Sequence, residues 1–423
     1  MLKYDAVIIG AGAAGLAAAR ALSGAGKRVC LLEARGRVGG RILSLHLPDL
    51  PLPLELGAEF IHGENETTFS IVEAAALAAA QLPDDHQWSR DGNWERIDDF
   101  WSEIAKVRAK IGERKRDLSF ADFLRSRREL SPRLRELSIS FVEGYHASHA
   151  DRISAQVLKA ADSEQEGTNK QFRLASGQDA LIAWLRAGLD PQRCDVRLGT
   201  VAEHVQWSEG SVTIGCRSTE TGQRERIRAR ALVVTIPIGV WKAGDVTFDP
   251  PLKEKENAIA LLESGHVVKI AFRFRERFWP DVNFLHSDDR FVPTWWTSAP
   301  FRSPVLTAWA GGHAADALLA EGEDARIDRA LDAMSRAWNV PRKRLDALLV
   351  GTYAHDWQRD PFSRGAYSYA AVGGRNAASQ LAKPMRGTLF FAGEATSSDE
   401  TGTVAGAIES GFRAANEMLR NAG

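Results

Sequence analysis

YDAVIIGAGAAGLAAARALSGAGKRVCLLEARGRVGGRI, residues 4–42, decides the fold of this chain. Its apolar run Ala6 to Ile9 reads as a buried parallel strand, and the Ala-rich segment Ala13 to Leu22 as a closely packed helix. Between them stand Gly10, Gly12 and Gly15. The first permits a tight turn, the second lets backbone N–H groups approach a pyrophosphate, and the third lets the helix lie close on the sheet, its N-terminus facing the anion. A second strand, Arg28 to Leu32, ends in Glu33, 18 residues beyond Gly15. An acid there is placed to accept hydrogen bonds from an adenosine ribose. Strand, glycines, helix, strand and terminal acid together predict a Rossmann-type dinucleotide-binding unit within an α/β fold.

The rest of the chain bounds that reading. At 423 residues it exceeds the size of one growing core, so two domains are expected. Hydrophobic residues at 44% and charged residues at 26% are those of a soluble globular protein. A formal charge of -1 gives no global field for nucleic acid or anionic lipid. Residues 106–135 do hold eleven Lys or Arg against four Asp or Glu, read as exposed helix faces. Cys30, Cys194 and Cys216 are scattered and odd in number, which argues against a disulfide framework. Strand-like sequence from Tyr4 leaves no room for a cleavable leader, and no apolar run is long enough to span a membrane. A cytoplasmic protein, monomeric or homodimeric, is expected.

The first unit does not choose between NAD and FAD. "EARGRVGGRI" supplies Arg35, Arg37 and Arg41 around Gly39 and Gly40, a cationic turn suited to a second approach to the pyrophosphate. Together with "LELGAEFIHG" at 54–63 and "FFAGEATSSDETGTVAGAIESGFRAA" at 390–415, it resembles the flavin-containing amine oxidase family of monoamine oxidases, polyamine oxidases and lysine-specific histone demethylases. The resemblance implies a discontinuous FAD-binding domain from residues 1–82, 186–250 and 360–423. A substrate domain of mixed sheet and helices is then inserted as 83–185 and 251–359, its first piece mainly helical. The cofactor residues it implies are Gly10, Gly12, Gly15, Glu33, Ala34, Arg35, Gly40, Arg41, Gly57, Ala58, Glu59, Val201, Trp357, Gly393, Glu394, Thr403 and Val404.

"HVVKIAFRFRERFW", 266–279, poses a conflict. Alternation puts Val268, Ile270, Phe272 and Phe274 on one face and Lys269 with Arg273 and Arg275 on the wetter one. By periodicity alone Lys269 is a solvated strand residue. The resemblance reverses this, because members of the family carry a lysine in the matching strand that holds a water against flavin N5 and aids reaction with oxygen electrostatically.

The reaction the resemblance implies is hydride-equivalent transfer from the carbon beside an amine nitrogen, imine hydrolysis, and reoxidation by O2 to hydrogen peroxide. No protein nucleophile is needed, and no metal-ligand spacing shows among the ten histidines. Tyr367 reads as a wall of the amine channel or as a packed strand aromatic. Ala366 stands where monoamine oxidases link the flavin through cysteine, so the FAD is expected to be noncovalent. Thr403 stands where monoamine oxidases place a second channel tyrosine and, with His62, which resembles the mouth residue of some polyamine oxidases, the resemblance tilts the substrate toward an extended amine such as a polyamine. His62 also reads as a turn cap. Tyr145, His146 and His149 fall in the substrate domain with orientations that spacing does not fix, and Gln178 faces substrate or simply opens a helix. The rivals are an L-amino-acid oxidase, for which no arginine can be assigned to the carboxylate, a desaturase or dehydrogenase of the same superfamily, and a flavin-binding scaffold without turnover.

Overall fold

Val7, Ile8, Leu31, Leu232 and Val233 are inaccessible to solvent, so the strands that carry them must lie inside a sheet covered on both faces. The computed structural model, which describes residues 3–112, 116–164 and 170–421, shows that sheet. It has eight strands, with Tyr4–Ile9 parallel to Val29–Leu32 on one side and to Arg224–Val234 on the other. Cys194–Arg197 extends one flank, and Leu389–Phe391 pairs in parallel with Arg224–Val234. An antiparallel meander, Thr200–Ser208, Ser211–Ser218 and Arg224–Val234, forms the other flank, with Thr247–Asp249 pairing in parallel at its edge. The helix Ala13–Gly24 covers one face and packs on the C-terminal helix Val404–Asn421. Small residues set their spacing: a Cβ on Gly411 would lie 2.2 Å from the Ala14 carbonyl oxygen.

A second sheet of seven strands runs Leu349–Ala354, Val267–Phe274, Val305–Gly311, Thr294–Thr297, Phe284–Ser287, His86–Arg90 and Asn93–Arg96. One of its faces is packed by helices Gly312–Leu319 and Glu323–Ala337 through Phe272, Leu331 and Met334. The hairpin 86–96 corrects the expectation that residues 83–185 open as helix. Its buried positions are His86, Trp88 and Ser89, so it lacks the aliphatic alternation that marks a strand in sequence.

Helical structure does dominate the following segment, with Phe100–Arg108, Phe120–Ser126 and Pro132–Tyr145 sharing a core of Ile104, Phe120, Phe123 and Phe141. Ser131 caps the last of these by accepting the Leu134 N–H, with Pro132 in the first turn. Its far end delivers Tyr145. The basic character of residues 106–135 is partly consumed internally, since Arg135 donates to the carbonyls of Leu124, Arg127 and Leu130. The part of that run at 113–115 lies outside the described residues. Among the described residues no helix is long and apolar enough to cross a membrane, and all three cysteines are buried and free.

Candidate active site

A single cavity of about 900 Å³ runs from the glycine loop to the end of the helix Pro132–Tyr145. Gly10, Gly12, Glu33, Ala34, Arg35, Gly40, Arg41, Gly57, Ala58, Glu59, Val201, Trp357, Gly393, Glu394, Thr403 and Val404 all line it, as do Lys269, Tyr367, His62 and Tyr145. Gly15 and Gln178 do not.

At the first end Gly15 works through packing: a Cβ there would sit 1.8 Å from the Gly10 carbonyl oxygen. Glu33 is buried, its carboxylate accepting the N–H of Ala11 at 2.8 Å and of Arg35 at 2.9 Å. That pins an anion at the C-terminal end of its strand, where a ribose would need it. Gly12, Ala13 and Ala14 present the helix N-terminus to the same space. The residues therefore fit a dinucleotide.

Within the arginine turn, Arg37 departs from the expectation, while Arg35 and Arg41 line the cavity with internal partners. Arg37 donates to the carbonyls of Val38, Gly40 and Ile42 and does not reach the cavity. Arg35 pairs with Asp360 at 2.7 Å, and Arg41 with Glu394 at 2.9 Å. Desolvation favours these internal partners, because a guanidinium taken from water needs an anion or carbonyls to replace its hydration. Glu394 likewise spends its other oxygen on the Ser368 hydroxyl at 2.7 Å.

Midway, Trp357 donates its indole N–H to the Leu56 carbonyl at 2.9 Å. Its ring packs so closely that a Cβ on Gly57 would meet it at 3.2 Å and the Arg41 carbonyl oxygen at 2.0 Å. Lys269 is 4% exposed, which overturns its assignment by alternation to a wet face. Its Nζ lies 2.6 Å from Glu59 Oε2 and donates to the Gly57 carbonyl at 3.0 Å, with the Trp296 ring centroid at 5.4 Å.

Glu59 is not free to serve a cofactor through its carboxylate. Arg173 donates to it at 2.7 Å and Trp296 Nε1–H at 3.1 Å. Burial pushes this carboxyl up, but Lys269 and Arg173 together outweigh burial and hold it below the usual carboxylate value. Gln178 donates to the Glu59 backbone carbonyl at 3.1 Å from a fully buried position at the start of the helix Asp179–Ala187. Its reading as a substrate contact is thereby corrected: it props up the Glu59 segment from behind.

The far arm is aromatic. Tyr367 donates its hydroxyl to the Tyr145 carbonyl at 2.7 Å, and burial pushes its phenol well above the ordinary value. The Tyr145 hydroxyl is 3.2 Å from His62 Nδ1, so His62 belongs to the arm and not merely to a turn. Burial lowers His62 to about 4 and, with Arg108 and His62 adding to it, lowers His146 to about 3. Both imidazoles are neutral acceptors near pH 7, and His146 Nε2 has no hydrogen-bond partner among the described residues. His149 points away from the arm, toward Asp316. Thr403 accepts the Gly406 N–H at 2.9 Å, capping the C-terminal helix.

Two residues escaped the sequence reading. Arg108 lines the arm with its guanidinium 5.5 Å from the Phe141 ring centroid, yet it sits in a basic run that reads as solvated. Glu400 also lines the cavity, bonded to Thr403 Oγ1 at 3.2 Å and Asn65 Nδ2 at 3.4 Å. Burial, with Glu409 and Asp399 nearby, pushes its carboxyl up.

A glycine-rich phosphate cradle, a buried lysine and an aromatic arm in one cavity match a known pattern, and a model of flavin-containing amine oxidoreductases matches residues 13–419. The chain belongs to that family. This amine oxidoreductase is FAD-dependent, and the cavity supplies the cradle such a cofactor needs. It is similar to polyamine oxidase 4 of Oryza sativa subsp. japonica, at 30% identity over 98% of this chain and 88% of the relative. Polyamine oxidase 3 of the same plant is 29% identical over 98% and 88%. A solved structure of wild-type putrescine oxidase bound to putrescine superimposes with a TM-score of 0.83, covering 99% of both chains at 21% identity, which establishes the fold.

Proposed function

We propose that this amine oxidoreductase oxidises a di- or polyamine at the carbon beside nitrogen and passes the electrons to O2, releasing hydrogen peroxide. The observation that carries the substrate class is the charge of the arm. Among the described residues no cation pairs with Glu400 or Asp399 on its wall, and Glu409 behind them accepts from Asn65 Nδ2 at 2.8 Å. A second ammonium on the substrate would neutralise this wall while the reacting nitrogen lies deeper. The similarity to plant polyamine oxidases supports the same class.

When bound, the flavin accepts the hydride equivalent, and water hydrolyses the imine product. The chain's own groups then bind and orient. Tyr367, fixed by its bond to the Tyr145 carbonyl, presents a ring face toward the amine. Neutral His62 and His146 accept N–H groups without adding positive charge that would repel the substrate. Lys269 places a cation beside the redox site, where it stabilises negative charge developing on oxygen. The residues lining the nucleotide end hold FAD, and Ala366, which offers the cavity no thiol, leaves it noncovalent. Acid precipitation should release yellow FAD into the supernatant; colour retained in the pellet overturns that part. The two large sheets support the proposed division into FAD and substrate domains, and three buried thiols support a reducing, cytoplasmic setting.

A second reading, an amine that also bears a carboxylate, is favoured by one observation: the Arg108 guanidinium on the wall of the arm. Peroxide formation measured across monoamines, diamines, polyamines and L-amino acids separates the two. Turnover best with polyamines supports the first reading, and turnover confined to amino acids supports the second.

A further inference from the structure

Behind the wall that carries Tyr369, three elements distant in sequence bring His149, His266 and Asp316 together, with one ligand-type atom from each lying within 4.8 Å of the others. His149 follows the helix Pro132–Tyr145, His266 immediately precedes the strand of Lys269, and Asp316 lies on the helix Gly312–Leu319. We propose that this cluster is a binding site for a divalent transition metal of the zinc class, held by one nitrogen from each histidine and the Asp316 carboxylate.

The geometry is close to that needed. His149 Nε2 lies 2.7 Å from Asp316 Oδ2, and His266 Nδ1 lies 2.5 Å from Asp316 Oδ1. A tetrahedral zinc with bonds of about 2.0–2.1 Å keeps its ligand atoms roughly 3.3 Å apart. The two short separations therefore open by about 0.6 and 0.8 Å, and the remaining one, no more than 4.8 Å, closes toward the same value, through side-chain rotations at the half-exposed Asp316 and His266.

The surroundings supply what a metal site needs beyond its ligands. His149 Nδ1 lies 3.2 Å from the Tyr369 hydroxyl, which can donate or accept. The imidazole can thus move its proton to Nδ1 and free Nε2 for metal while staying oriented. The main chain of His266 is pinned on both sides, its N–H donating to Ala147 O at 3.2 Å and its carbonyl accepting from Gly312 N–H at 3.1 Å. The fourth position faces solvent beside His313, one turn from Asp316 on the same helix and 4.9 Å from His149 ring to ring. His313 now bonds Glu143 at 2.6 Å, with Asp151 at 3.6 Å, so the neighbourhood is anionic. Two imidazoles favour zinc, cobalt, nickel or copper over magnesium or calcium. Bound metal would tie the helix that delivers Tyr145 to the start of the Lys269 strand, which is why this site matters to the enzyme without entering its redox chemistry. Spacing in the sequence hides it because each ligand comes from a different element.

The test uses chelator-treated, FAD-loaded enzyme titrated with Zn²⁺ alone by calorimetry, with Co²⁺ as the spectroscopic probe. One equivalent per chain binding in the micromolar range, a rise in melting temperature, and ligand-field bands from four-coordinate Co²⁺ are expected. His266→Ala and His266→Gln should each weaken binding by about tenfold or more, whereas His46→Ala, at the distant pair with Asp179, should not. Retained FAD absorbance certifies that each variant is folded. Absence of saturable binding, or undiminished affinity in both His266 variants, overturns the proposal.

Discussion

Lys269 and Glu59 form a buried ion pair at 2.6 Å whose far side is closed by Arg173 and Trp296. Four separate segments converge on this one point. Lys269→Met leaves the Glu59 carboxylate buried with one cation fewer, so stability should fall by on the order of 3 kcal/mol. Flavin reoxidation by O2 should slow by about tenfold or more. Adding Glu59→Gln should restore part of the stability, read by denaturant titration, and none of the reoxidation rate, read by stopped-flow. Reoxidation as fast as wild type in Lys269→Met removes the electrostatic role.

Acid should destabilise the protein through the arm. His62 titrates at about 4 and His146 at about 3 in the folded chain, both from burial, against 6.5 for an ordinary histidine. A histidine whose folded value is depressed takes up its proton more readily when unfolded, so stability is fully present above pH 6.5 and drains away as pH falls toward about 4. Melting temperatures across that interval should drop more steeply in wild type than in His62→Asn.

Gly15→Ala tests the cradle. The added methyl meets the Gly10 carbonyl oxygen at 1.8 Å, which pushes the first helix off its sheet. The variant should purify with a small fraction of the wild-type FAD content, measured by absorbance, and melt at lower temperature.

Glu400→Gln tests the acidic wall. It keeps the shape and the bonds to Asn65 and Thr403 but removes the charge. kcat/KM for a di- or polyamine should fall by about tenfold, a loss of roughly 1.4 kcal/mol in transition-state binding, while a monoamine is little changed. Equal losses for both classes assign Glu400 a purely structural role.

The glycine loop, Glu33 and the paired strands around them are legible in sequence because local spacing fixes them. Lys269 was legible only as a conflict, since alternation assigns a residue to a face but does not say whether that face is wet. Here both faces of Val267–Phe274 are covered, one by the helices at 312–337 and the other by the cavity wall. Its partners Glu59, Arg173 and Trp296 come from three other strands or loops, so no spacing rule joins them. Gln178 and Arg37 carried polar groups in suggestive places, yet desolvated backbone carbonyls claimed them first. Arg108 shows the converse error, because a charge run reads as uniformly solvated while one helical position turns inward.

An amine bound in the arm should reduce the flavin held by the glycine cradle. Anaerobic mixing of the purified enzyme with a panel of mono-, di- and polyamines and L-amino acids, followed by flavin absorbance, tests it most directly. Rapid bleaching with di- or polyamines and slower bleaching in Tyr367→Ala are expected; a yellow protein whose absorbance no amine changes rules out amine oxidation in this cavity.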